Sequence, residues 1–273
     1  MEIGDVLDET FRMYRRHFFL FAGISVLLSI PSAALSGYAL ALFGTILQPV
    51  SSNGVQVQPN FSVLGAVLPL LAVGTVIGFA LIPFTYGAVT YAACESALGR
   101  PVTAGGILRG VLHRYFALLG YWALFFLSLV VSLVLCVLPV ILWIWVFVMW
   151  VVVTPAIFVE NIGLGAAMGR SRSLVQGRWW RTFLLLFLLG LVFYVVRFAL
   201  GAFIQLGQIL LEIFISPFVA LGIATASAQI VDALVNPILQ IAIVLVYFDL
   251  RVRREALDLF QLAQHVAARA AVS

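Results

Sequence analysis

FALLGYWALFFLSLVVSLVLCVLPVILWIWVFVMWVVVTPAIFV, residues 116–159, contains no charged side chain. About 20 apolar residues in a helix cross a hydrocarbon core of about 30 Å, so this stretch is far too long for one crossing and long enough for two. Leu138-Pro139 lies near its middle, where proline removes a helix hydrogen bond and supplies the break. In lipid each backbone polar group must be satisfied internally, which leaves only helices and closed barrels. Barrel strands alternate in polarity, and these residues do not. The fold is read as all-α and polytopic.

Outward from this stretch the same character recurs. With 116–137 and 139–159, the apolar runs at about 18–47, 61–93, 182–207 and 217–250 make six transmembrane helices, paired as three hairpins. Of 273 residues, 64% are hydrophobic and 10% charged, which excludes a soluble globule. One membrane domain, 1–250, is expected, with 251–273 as a cytoplasmic tail. The first run is too long for the core of a cleaved signal, about 7 to 15 residues, and is expected to be retained.

Every basic residue other than histidine is arginine. Placing the N-terminus in the cytoplasm puts all of them except Arg197 on that side, in the segments around Arg12, Arg15, Arg16, Arg100, Arg109, Arg114, Arg170, Arg172, Arg178, Arg181, Arg251, Arg253, Arg254 and Arg269. The loop from Gln48 to Asn60 is then outside and uncharged, as the positive-inside rule requires. Both termini are expected in the cytoplasm. The basic excess is accounted for by topology, and no soluble basic domain is present for nucleic acid. Arginine, alanine and glycine usage points to a GC-rich bacterial genome and hence to the bacterial inner membrane. Cys94 and Cys136 fall at opposite ends of their spans, too far apart to pair.

A short amphipathic stretch precedes each odd-numbered span and ends in a basic and aromatic junction: Arg15-Arg16-His17-Phe18-Phe19, His113-Arg114-Tyr115-Phe116 and Arg178-Trp179-Trp180-Arg181. Ile3, Val6, Leu7, Phe11 and Tyr14 share one helical face in the first. Ile107, Leu108, Val111, Leu112 and Tyr115 do so in the second, and Leu164, Ala167, Met168, Ser171, Leu174 and Val175 in the third. Such helices lie in the headgroup plane. The pattern predicts repeats at 1–93, 101–159 and 162–250, each an interfacial helix followed by a hairpin.

Two blocks carry a family resemblance. Residues 160–181, ENIGLGAAMGRSRSLVQGRWWR, and 3–18, IGDVLDETFRMYRRHF, resemble the membrane domain of glycerophosphoryl diester phosphodiesterases and its stand-alone relatives. The resemblance implies a six-helix membrane module. In some members that module precedes a soluble catalytic barrel. The residues after Leu250 are far too few for a (β/α)₈ domain of about 250 residues, so the hydrolase activity is not carried over.

No HExxH, GxSxG, P-loop or paired-cysteine motif occurs. His17, His113 and His265 lie in separate segments. No enzyme activity and no cofactor or metal is expected. The last hairpin is more informative. Arg197 lies inside the fifth span and Glu212 near its outer end, while Thr225, Gln229, Asp232, Asn236 and Gln240 recur along the sixth at spacings that put them on one face. Arg197 needs a partner, because a charge at a helix centre costs about 2.5 to 3.5 kcal/mol; Asp232 and Glu212 are the candidates. Arg197, Glu212, Gln229, Asp232, Asn236 and Gln240 thus form either an outward-opening polar cavity or a ladder that fixes packing. A second candidate face, Arg170, Arg172, Arg178, Trp179, Trp180 and Arg181, concentrates charge and indole beside the third interfacial helix, where anionic phospholipid or a protein partner would bind. Gly74 and Gly78 offer a close helix contact. The leading expectation is a non-enzymatic membrane protein that associates with phospholipid or supports a membrane-bound partner. A small-solute or lipid transporter using the polar cavity, and a scaffold for a separate cytoplasmic enzyme, are the alternatives.

Overall fold

A computed structural model describes residues 3–47, 64–134 and 137–270. Among them run nine helices: α1 (Ile3–Arg16), α2 (Phe18–Leu47), α3 (Leu64–Ala97), α4 (Ala104–Val134), α5 (Val137–Trp150), α6 (Val153–Val159), α7 (Leu164–Val175), α8 (Trp179–Leu211) and α9 (Pro217–Ala270). Six segments are long and apolar enough to cross a membrane: Phe18–Leu42, Val67–Ala97, Ala104–Leu133, Leu142–Val159, Trp179–Leu211 and Pro217–Glu255. The chain is an all-α, multi-pass membrane protein. The loop Gln48 to Asn60 and Cys136 fall outside the described residues.

Local chemistry explains where helices stop. α3 and α7 are each followed by a glycine in the left-handed region, Gly99 (φ 70) and Gly177 (φ 85), a conformation that is strained for residues with a Cβ. Asn161 (φ 55) does the same after α6, and asparagine tolerates that region better than most. α5 and α6 are separated at Val151-Val152, because Pro155 has no N–H to give the carbonyl of Val151. Pro139 sits in the first turn of α5, where a missing N–H costs little.

Two elements differ from the sequence reading. No separate interfacial helix precedes the third span: α4 runs unbroken from Ala104 through Arg109, His113 and Arg114 into the apolar segment, since no proline interrupts it there and Gly105, Gly106 and Gly110 keep helical backbone. α9 likewise continues past Leu250 to Ala270. Its polar end contains no breaker, and Arg253 with Asp249 and Arg251 with Glu255 form i,i+4 ion pairs at 2.9 and 3.0 Å.

The contacts divide the chain into two compact units. One comprises residues 1–16, 87–189 and 238–273. Here α4, α5, α6 and α7 pack on one another around Val111, Leu118, Val148, Val152, Ile157 and Leu174, all buried. α1 buries Val6, Thr10, Met13 and Tyr14 against protein and leaves Phe11 exposed, and Thr10 is tolerated inside because its hydroxyl donates to the Val6 carbonyl at 2.6 Å. On α4, Ile107 and Val111 are buried while Leu108 and Leu112 are exposed. α7 buries Ala167, Ser171, Leu174 and Val175, with the Ser171 hydroxyl donating to the Met149 carbonyl at 2.7 Å.

The other unit comprises residues 17–86 and 190–237. Its tightest contact joins α2 and α9 at Gly37 and Gly222: a Cβ on Gly222 would stand 2.4 Å from the Gly37 carbonyl oxygen, and one on Gly37 would stand 2.7 Å from that of Gly222. This is where small residues let backbones approach. At Gly74 a Cβ would meet Leu35 at 3.5 Å, ordinary contact, and at Gly78 it would meet nothing within 4 Å. From Gly190 to Leu211, α8 has no buried residue: its buried positions, Thr182, Leu185 and Leu189, all precede Gly190.

Candidate functional site

Two groups of side chains were expected to carry function, and each is assembled differently from its sequence pattern. In the unit of residues 17–86 and 190–237, the Arg197 guanidinium (Nη2) meets Asp232 Oδ2 at 2.8 Å, so Asp232 is the counter-ion. Glu212, in the turn after α8, instead accepts from Gln208 Nε2 at 2.9 Å. Gln229 donates to the Ser36 hydroxyl. Ser36 in turn donates to the Ser32 carbonyl at 2.8 Å, Ser32 to Ser29 at 2.9 Å, and Ser29 to Val26 at 2.9 Å. Thr225 closes on its own helix through the Leu221 carbonyl, 2.9 Å away. Asn236 is half-buried. A groove of about 660 Å³ beside Arg197 is lined by α8 residues, among them Tyr194, Gly201 and Gln205; Gln229, Asp232 and Asn236 are not part of its wall.

The serines opposite Gln229 were not anticipated. Their signal was present: Ser25, Ser29, Ser32 and Ser36 repeat along α2 at the four, three, four spacing that Thr225, Gln229, Asp232 and Asn236 follow on α9. Gln240 belongs to the other unit. There it is 3% exposed, and neither carboxamide atom has a hydrogen-bond partner among the described residues.

The arginine-rich group lies within the unit of residues 1–16, 87–189 and 238–273. Arg170 is held between two carboxylates, Nε to Glu160 Oε1 and Nη2 to Glu255 Oε1, both at 2.7 Å. Burial works to lower its pKa, and these bonds outweigh burial and hold it above the ordinary arginine value. Glu160 also accepts the Tyr247 hydroxyl at 2.8 Å. Arg181 reaches Asp249 Oδ2 at 3.4 Å, and Asp249 is shared with Arg253. The Arg254 guanidinium donates to the Gln176 carbonyl at 3.2 Å. Arg170 and Arg181 therefore serve α6, α7, α8 and α9 as ties.

Of the remaining members, Arg172 and Trp180 are presented outward. Arg172 is exposed, Arg178 is half-buried and Trp180 is 76% exposed. Trp179 is anchored: its indole N–H donates to the Trp145 carbonyl at 3.3 Å, and its ring stacks on Phe183 with centroids 5.2 Å apart. The acids Glu160, Asp249 and Glu255 were missed at the sequence level, although each flanks an apolar run in a chain with few acids. The tryptophans at 122 and 143 join Phe125 and Phe147 in an aromatic cluster. Cys94 is buried as a free thiol. Among the described residues, no three His, Cys, Asp or Glu side chains gather to hold a metal ion.

Comparison with protein-family models finds no match, and comparisons with curated proteins and with solved structures find none either.

Proposed function

We propose that this chain is a non-enzymatic protein of the bacterial inner membrane, both termini cytoplasmic, that associates with anionic phospholipid through Arg172, Arg178 and Trp180. The observation that carries this reading is the division of labour within the arginine-rich face: Arg170 and Arg181 are consumed by ion pairs, whereas Arg172 and Trp180 point away from the protein beside an interfacial helix. An indole at headgroup depth with guanidinium groups next to it suits a phosphate-bearing surface. The resemblance to a phosphodiesterase membrane module fits a lipid-associated role.

The reading is tested on protein excised with surrounding lipid by a styrene–maleic acid copolymer. The wild type should carry phosphatidylglycerol in excess over the bulk membrane. With each near-surface arginine contributing about 1 kcal/mol, R172Q/R178Q should lose enrichment at that face by on the order of tenfold or more. Equal lipid content in both would reject the reading. A transporter is the less supported alternative, because the Arg197 and Asp232 charges satisfy each other and the neighbouring groove excludes the other polar residues of α9.

A further inference from the structure

A cavity of about 490 Å³ in the unit of residues 1–16, 87–189 and 238–273 has no part in the groups above. One face of α4 forms its basic wall: Gly106, Arg109, Gly110 and His113, one helical stripe, with Arg114 beside it. α3 contributes Tyr91, and the end of α6 contributes Ile157 and Phe158.

Its construction is specific. The Tyr91 ring lies against Gly110 so closely that a Cβ there would stand 2.5 Å from the ring, and it meets Phe158 edge to face with centroids 5.5 Å apart. Arg114 is immobilised by Asn161, through the backbone carbonyl at 2.8 Å and the side-chain oxygen, with a further contact to the Ile162 carbonyl at 3.5 Å. Asn161 presents these acceptors from its left-handed conformation. By contrast, no partner among the described residues engages the side chains of Arg109 and His113, both exposed on the cavity wall. No carboxylate lines the space. The nearest acid along α3, Glu95, is paired with Arg100 at 3.3 Å.

A wall with two guanidinium groups and no acid to neutralise them selects an anion, and the imidazole beside them can donate an N–H to it; guanidinium groups match phosphate oxygens in particular. The opposite wall, Ile157, Phe158 and the Tyr91 ring, suits an apolar attachment to that anion. One turn beyond His113, Phe116 is 83% exposed where α4 enters its apolar segment. We propose that this cavity binds the phosphate of an anionic phospholipid, Arg109 and His113 closing on it against the fixed Arg114, with its acyl region passing along Phe158 and Phe116. The site deepens the lipid-binding reading above, and it rests on that reading only for the class of ligand, since it shares no residue with the Arg172, Arg178 and Trp180 face.

Native mass spectrometry of the full chain, released from nanodiscs of phosphatidylglycerol in phosphatidylcholine, tests this. The wild type should retain a discrete phosphatidylglycerol adduct. R109Q/H113Q should weaken it about tenfold or more with an unchanged thermal midpoint. G110A, which displaces Tyr91 without altering charge, should weaken it too. R172Q/R178Q should leave this adduct in place, so loss of the outer face and loss of the cavity are read separately. Retention of the same adduct by wild type and R109Q/H113Q would overturn the proposal. So would displacement of the adduct by inorganic phosphate or glycerol 3-phosphate, because the ligand would then be a soluble phosphate.

Discussion

Gly37 and Gly222 are the residues with least freedom, because each faces the other's backbone carbonyl and a backbone cannot move aside as a side chain can. Gly222→Ala should therefore lower stability by about 1 to 3 kcal/mol, read as thermal unfolding in detergent, while Gly78→Ala, with nothing within 4 Å, should show no such loss. Arg197 and Asp232 make a second argument at this scale. Replacing Asp232 by Asn leaves a guanidinium in an apolar segment without its counter-charge, and a loss of about 1 to 3 kcal/mol is expected. R197Q/D232N should recover part of that loss, since neither charge is then stranded. Additive losses across the two sites would mean that the pair contributes nothing to the fold. Arg197 and its counter-ion were legible in the sequence because one charge in an apolar run demands another. Ser36 was not, because its partner Gln229 is distant in the chain and hydroxyls in a helix normally satisfy themselves on their own backbone.

At the scale of elements, stops matter more than propensity. Gly177 ends α7 at φ 85, so Gly177→Ala should cost about 1 to 2 kcal/mol. Gly165, inside α7 with open space around its α-carbon, should respond in the opposite sense, gaining up to about 1 kcal/mol as alanine. Urea or thermal melts of the two variants in the same detergent distinguish them. The same reasoning explains what the sequence disclosed about helices. Long apolar runs were visible, whereas the Gly177 stop was not read from the sequence. The absence of a stop between His113 and Phe116 was visible too, but a basic and aromatic junction outweighed it and suggested a boundary that α4 does not have. The face of α1 that packs on protein was not read from the sequence for a different reason. Hydrophobicity cannot tell a side chain facing protein from one facing lipid, and Thr10 satisfies its own hydroxyl.

For the whole molecule, the even number of spans and the concentration of arginine predict that both termini lie on one side. Alkaline phosphatase fused after Ser273 should be inactive, and a fluorescent protein fused there should mature; the reverse pair of outcomes would invert the topology. The acids that hold the arginine-rich end together, Glu160, Asp249 and Glu255, could not be matched to Arg170 and Arg181 from sequence, because those pairings depend on how α6, α7, α8 and α9 meet; the i,i+4 pairs of Arg251 and Arg253 within α9 follow from spacing alone. One dimension of the chain has a consequence for where it resides. Beyond the headgroup-level Trp179-Trp180-Arg181, α8 continues from Thr182 to Leu211, about 45 Å of contour at 1.5 Å per residue, against a hydrocarbon layer of about 30 Å. Such hydrophobic mismatch has to be relieved by inclination, local thickening or both, at a cost that grows with each ångström of difference. α8 acts in effect as a gauge of bilayer thickness, and the protein should partition toward the thickest lipid domains open to it.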